Sequence, residues 1–151
     1  QEMSRGLGDV YKRQADYEGK LSAIDKSQAV IEFQPDGTIL TANQNFLSTM
    51  GYSLGEIQGK HHSMFGEPGI ADTPEYKALW DKLRSGQFDA GEYKRLGKGG
   101  KEIWIQASYN PILDPKVGFI RLLNSLLISL NQKLKPMILN QKWKPLIKLR
   151  L

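Results

Sequence analysis

Two pairs of alternating, β-branched runs bracket a helical middle, and that order constrains the fold more than any other feature of the chain. The first pair is Ala29-Val-Ile-Glu-Phe33 and Thr38-Ile-Leu-Thr-Ala42, joined by Gln34-Pro-Asp-Gly37. Proline presets φ and glycine supplies positive φ, so the joint reads as a tight hairpin turn. The second pair, Phe88–Leu96 and Glu102–Tyr109, flanks Gly97-Lys-Gly-Gly-Lys101. That glycine run lacks the spacing and the following helix of a phosphate-binding loop, and it too reads as a hairpin turn. Along the last run Ile103, Ile105 and Ala107 alternate with Trp104, Gln106 and Ser108, giving one apolar face and one amphipathic face.

Between the hairpins, capping residues mark out short helices. Asn43 and Asn45 precede Phe46–Met50, Gly51 stops it, and Ser53 with Glu56 frames Leu54–Ile57 before Gly59. Thr73-Pro74 opens a longer helix over Glu75–Arg84, with Tyr76, Leu79, Trp80 and Leu83 on one face. Ahead of the first hairpin, Tyr17, Leu21 and Ile24 recur at helical spacing, which predicts an amphipathic helix over 16–28.

At 151 residues, with 40% hydrophobic and 25% charged side chains, the chain has the make-up of one globular domain with tails. No cysteine is present, which excludes disulfides, thiolate metal sites and a thiol nucleophile. The net charge of +5 would suggest nucleic acid or an anionic membrane, but it is unevenly spread. Residues 15–114 hold ten basic and fourteen acidic side chains, and residues 1–14 hold three and two. Residues 115–151 hold eight basic and none acidic. An acidic body carries a basic tail.

Both ends look foreign to that body. Ser4–Gln14 is similar to the translation of a sequencing-library adapter, so residues 1–14 are expected to be a non-native leader. Residues 117–130 are apolar but interrupted by Arg121, and fall short of the ~20 residues of a membrane span. Taking the last base of each codon with the first two of the next, one legal coding from Phe119 onward becomes YKVIKFATDITE. That is an alternating strand with an acidic-polar stop. The same shift over 142–150 can give MEAIDKAS, repeating the AIDK of Ala23–Lys26. The expectation is a reading frame lost between Asp114 and Phe119. Residues 115–151 would then be a shifted tail, poorly structured or a forced strand, and less stable than its parent.

The order of elements, with Ala23-Ile-Asp-Lys26, Asp36-Gly-Thr-Ile-Leu-Thr-Ala-Asn43, Glu56-Ile-Gln-Gly59, His61-His-Ser-Met-Phe65, Tyr93-Lys-Arg95 and Trp104–Pro111, resembles the PAS sensory domain. The match covers nearly all of residues 16–114. It is similar in type to the PAS domains, often tandem, of bacterial methyl-accepting chemotaxis transducers, including the aerotaxis and biofilm-dispersion types. The resemblance implies an α+β PAS fold, a five-stranded antiparallel sheet with short helices and one longer helix on one face. The last central strand is the one scrambled here. It also implies a cytoplasmic sensor that dimerises and adjoins a further PAS and a methyl-accepting signalling domain, with neither nucleic acid nor direct membrane insertion.

No carboxylate pair, triad or metal cluster occurs at useful spacing, and no residue is read as catalytic. The resemblance implies a pocket ligand, haem or FAD, sensing redox, oxygen or a small molecule. The candidate contacts are His61, His62, Met64, Phe65 and Trp80. Either histidine would serve as an axial haem ligand or hydrogen-bond a flavin. The alternatives stay open: histidines that only stabilise the short helices, Trp80 as core, and a cofactor-free PAS for dimerisation and relay.

Overall fold

The computed structural model of the protein describes residues 2–129; the shifted repeat over 142–150 lies outside them. Nine helices and strands organise the described residues. They are α1 (Glu2–Ser27), β1 (Ala29–Phe33), β2 (Ile39–Ala42), α2 (Gln44–Met50), α3 (Leu54–Ile57), α4 (Pro74–Arg84), β3 (Asp89–Leu96), β4 (Glu102–Asp114) and β5 (Gly118–Ile128). Short 3-10 turns occupy His62–Phe65, Ile70–Asp72 and Lys98–Gly100.

The strands form one antiparallel sheet in the order β2-β1-β5-β4-β3. Both expected hairpins are its edges. Alternation decides the inner face: Ile31 and Phe33 of β1, Ile103, Ile105, Ala107 and Tyr109 of β4, and Leu122 and Leu126 of β5 are all buried. Helices α2 to α4 cover that face with Phe46, Met50, Ile57, Trp80 and Leu83. Fully burying a side chain of this size stabilises by roughly 1.5–3 kcal/mol.

Residues 118–128, expected to be a scrambled strand, lie at the centre of the sheet and pair with both β1 and β4. They fit because every second residue faces inward, and two of the three buried inner residues are leucine. The third, Asn124, is 2% exposed and donates through Nδ2 to the Ser108 carbonyl at 3.0 Å. Its amide is a polar group in an apolar layer, and that hydrogen bond offsets its desolvation.

Residues 2–14, expected to be a leader, and the helix expected over 16–28 form one continuous helix, α1, whose side chains are exposed from Ser4 to Ser27. Its end is tied down by asparagines. Asn43 Nδ2 donates to the Asp25 and Gln28 carbonyls (3.0 and 2.7 Å), and Asn45 Nδ2 donates to Asp25, Lys26 and Gln28. These carbonyls at and just beyond the end of a helix gain side-chain donors. Asn43 Oδ1 meanwhile accepts from Phe46 N and Val30 N, both at 2.9 Å, so one side chain joins α1, β1 and α2.

Candidate functional site

The two adjacent histidines point to opposite sides of the chain. His61 is extended at the start of its 3-10 turn and pairs with Thr38 of the first hairpin. Its exposed ring bonds Asp36 O through Nε2 (2.9 Å) and Ser63 Oγ through Nδ1 (2.9 Å). Gly37 makes this possible: at φ 91° it is left-handed, and a Cβ there would meet His61 Nε2 at 2.4 Å. His61 does not face the concave side of the sheet. It locks the β1–β2 turn.

His62 turns inward and is 3% exposed. Its Nδ1 lies 3.0 Å from the Tyr76 hydroxyl on α4, and its Nε2 lies 3.3 Å from the Tyr109 hydroxyl on β4. Arg95 of β3, also buried, donates from a terminal nitrogen to that Tyr109 hydroxyl at 2.8 Å. The Tyr109 oxygen therefore accepts from arginine and has one proton to give. Donating it to Nε2 leaves Nδ1–H to donate to Tyr76, the tautomer that gives the buried Tyr109 proton an acceptor. Burial, then the positive charges of Arg95 and His61, hold the His62 pKa well below the ordinary 6.5. Burial pushes the Tyr76 hydroxyl up to about 12 and raises Tyr109 as well. The network stays neutral apart from its arginine.

Aromatic rings close the space around it. Phe33 meets His62 edge-on at 5.1 Å and Trp80 at 6.4 Å, and Trp80 is itself edge-on to His62 at 5.5 Å. Phe65 packs against Phe46 at 5.3 Å. Trp80 and Phe65 are core residues packed beside His62. Met64 is half-buried, packed against the edge of the core, and borders a separate surface hollow with Tyr52 and Gly66. Arg95 and Tyr109 were missed as members of the site.

A family model described as the PAS fold matches residues 39–124. The chain belongs to the PAS fold family. This PAS chain is 41% identical over 105 residues to the biofilm dispersion protein BdlA of Pseudomonas aeruginosa, covering 70% of the chain and 25% of that protein. It is 32% identical over 75 residues to the aerotaxis receptor of Escherichia coli, covering 50% and 15%. It spans a quarter or less of these relatives' lengths. Among solved structures, a light-oxygen-voltage domain studied with a flavin analogue aligns with TM-score 0.65 and 20% identity, over 81% of this chain and 93% of that one. A PAS domain from Colwellia psychrerythraea gives TM-score 0.65 and 21% identity, over 78% and 98%. At those identities the likeness is one of fold.

The PAS interior of this chain does not fit haem or FAD. The space left among Phe33, Phe46, His62, Phe65, Arg95 and Tyr109 is about 10 Å³, room for roughly one water. Small-molecule pockets run to roughly 300–1,000 Å³. Both His62 nitrogens are engaged by tyrosine hydroxyls, and His61 is engaged at the surface. Trp80 Nε1 is the one buried side-chain polar atom lacking a partner among the described residues. Trp80 does not line that space; it borders an open surface hollow with His61 and Tyr76, and a single donor there is no cradle for a flavin ring. Among the described residues no group of three or more His, Asp and Glu side chains could hold a metal, and no helix is long and apolar enough to cross a membrane.

Proposed function

We propose that this chain is the sensory PAS module of a chemotaxis-type transducer, working as a cofactor-free relay. The observation that carries this reading is the filled interior: His62 joins the 3-10 turn, α4 and β4 through two tyrosines, where a haem or flavin would need open space. Such a core has discrete packings, and a signal acts by shifting their populations. In this reading the module works in the cytoplasm and carries no catalytic residue.

Dimerisation is the second part of the reading. On α1, Tyr17, Leu21 and Ile24 are all exposed and share one face. Leu21 and Ile24, together with Val30 and Leu123 of the sheet, border an open groove, where a second copy would bury them. Signalling to an adjoining PAS and a methyl-accepting domain would then pass through α1. We also propose that residues 1–14 are a non-native leader and 115–151 a shifted frame; nucleotide reads across the Asp114–Phe119 junction test this.

The test of the relay is an absorption spectrum of the protein purified from cells supplied with haem precursor and riboflavin. The expected result is neither a Soret band nor a flavin doublet, with a dimer in sedimentation. Either chromophore at one per chain overturns the cofactor-free reading.

A further inference from the structure

A second cavity lies outside the filled interior, between α4 and β3. It is an open cleft of about 370 Å³ whose walls include Ile70, Ala78, Leu79 and Tyr93. Arg95 lines it and also borders the interior beside His62. This arginine is only 6% exposed. Its guanidinium donates to the Lys94 carbonyl at 3.1 Å and to the Tyr109 hydroxyl at 2.8 Å, and lies 4.8 Å from the centre of the Tyr93 ring. Those are two bonds of a group with five N–H donors. None of its partners is an anion, and among the described residues no carboxylate forms an ion pair with it.

Buried charges are ordinarily paired, because desolvating a lone ion is expensive. The cleft's own acids do not serve. Asp89 is taken by Lys82 at 3.0 Å and by the Tyr93 hydroxyl, and Glu75 is exposed. A buried guanidinium without a counter-charge among the described residues, at an apolar and aromatic cleft, has the chemistry of a carboxylate site: a planar fork for two oxygens, hydrocarbon walls for the rest.

We infer that the cleft between α4 and β3 binds a small organic carboxylate with an apolar body, its carboxylate held by Arg95. The volume lies at the small end of ligand pockets, which suits a molecule the size of hexanoate. The site names a ligand class for the sensory reading above and rests on that reading for its role. A carboxylate drawing on the guanidinium competes with the Tyr109 hydroxyl, and Tyr109 holds His62. Occupation of the cleft would thereby reach the closed core.

The test is calorimetric titration of the chain with hexanoate, its neutral isostere hexanamide, and inorganic phosphate. Hexanoate should bind with Kd of about 1 mM or tighter. Hexanamide should bind about ten- to a hundredfold more weakly, the range expected for losing a charge-assisted pair. Phosphate should neither bind nor compete. Arg95→Gln should lose hexanoate affinity by the same factor. Because that variant risks misfolding, Ala78→Trp, which fills the cleft from an exposed position on α4 and leaves Arg95 unsubstituted, should abolish binding while keeping the thermal melt. Equal binding of hexanoate and hexanamide, competition by phosphate, unchanged affinity in Ala78→Trp, or no saturation by about 10 mM would each overturn the site. A haem or flavin band would refute the cofactor-free reading and leave this one standing.

Discussion

Acidification from pH 7.5 to 5 removes stability through one residue, His62. Its pKa in the folded protein lies well below the ordinary 6.5, because burial strips its water and Arg95 and His61 oppose a further positive charge. The groups that face it are Tyr76 of α4, Tyr109 of β4 and Arg95 of β3, and none supplies a negative charge. Below pH 6.5 the unfolded imidazole takes up a proton that the folded one refuses. The unfolded state then binds more protons, so stability is complete above 6.5 and falls as pH falls toward the folded pKa. The slope is about 1.4 kcal/mol per pH unit, which integrates to about 2 kcal/mol by pH 5. Against a typical domain stability of 5–15 kcal/mol this is a readable loss. Carboxylates do not confuse the window. Asp36, Asp89 and Glu56 all have folded pKa values below their ordinary 3.8 to 4.5, so their losses come at lower pH. The assay is urea unfolding at half-unit pH steps for the protein and for His62→Gln, with His61 common to both. The difference between the two curves should change by about 2 kcal/mol across the window. Parallel curves within about 0.5 kcal/mol would refute the buried neutral imidazole. Should His62→Gln not fold, an imidazole NMR signal of His62 that titrates near 6.5 would refute it equally.

Three further outcomes are expected. Tyr109→Phe takes the hydroxyl acceptor from a buried guanidinium and a partner from His62; it should destabilise by about 1.5–3 kcal/mol in chemical denaturation, and a loss below about 0.5 kcal/mol would deny the network. Gly37→Ala puts a Cβ against His61 at a left-handed position, so thermal melts should show a loss of about 1–3 kcal/mol; a wild-type melt would contradict the turn lock. Replacing residues 119–130 with YKVIKFATDITE puts phenylalanine at buried Asn124 and charge at exposed Ile120 and Leu127. The repaired chain should melt several degrees higher, at roughly 2–4 °C per kcal/mol, and equal cooperative melts would dismiss the shifted-frame account of β5.

Strand periodicity made the sheet legible, because one face must be apolar whatever else the chain does. Ile103, Ile105 and Ala107 declare their side, and Gln34-Pro-Asp-Gly37 declares the turn. The caps Asn43, Ser53 and Thr73 were legible for the same local reason: a helix start needs an acceptor within three residues. The site was only half legible. His61 and His62 are neighbours of one type, and their division into a surface clamp and a buried hub depends on a bridge to Thr38, which lies far off in sequence. Arg95 was hidden by its charge. It occupies an inward position of β3, opposite Ile103, and alternation from Tyr93 is the signal that could have found it. β5 was read from its composition as a shifted frame, poorly structured or forced into a strand. Its composition looks foreign, yet Leu122 and Leu126 satisfy the inner face of a central strand, and period two asks for little more.

The most direct measurement of the closed interior is the nitrogen-15 NMR signal of the His62 imidazole while haem, and separately FAD, is added to the purified chain. A neutral ring held by two tyrosines and walled by Phe33, Phe65 and Trp80 predicts an unchanged signal at one equivalent of either cofactor. Loss of that signal to a paramagnetic iron, or a shift saturating at one FAD per chain, would contradict a core that is already full.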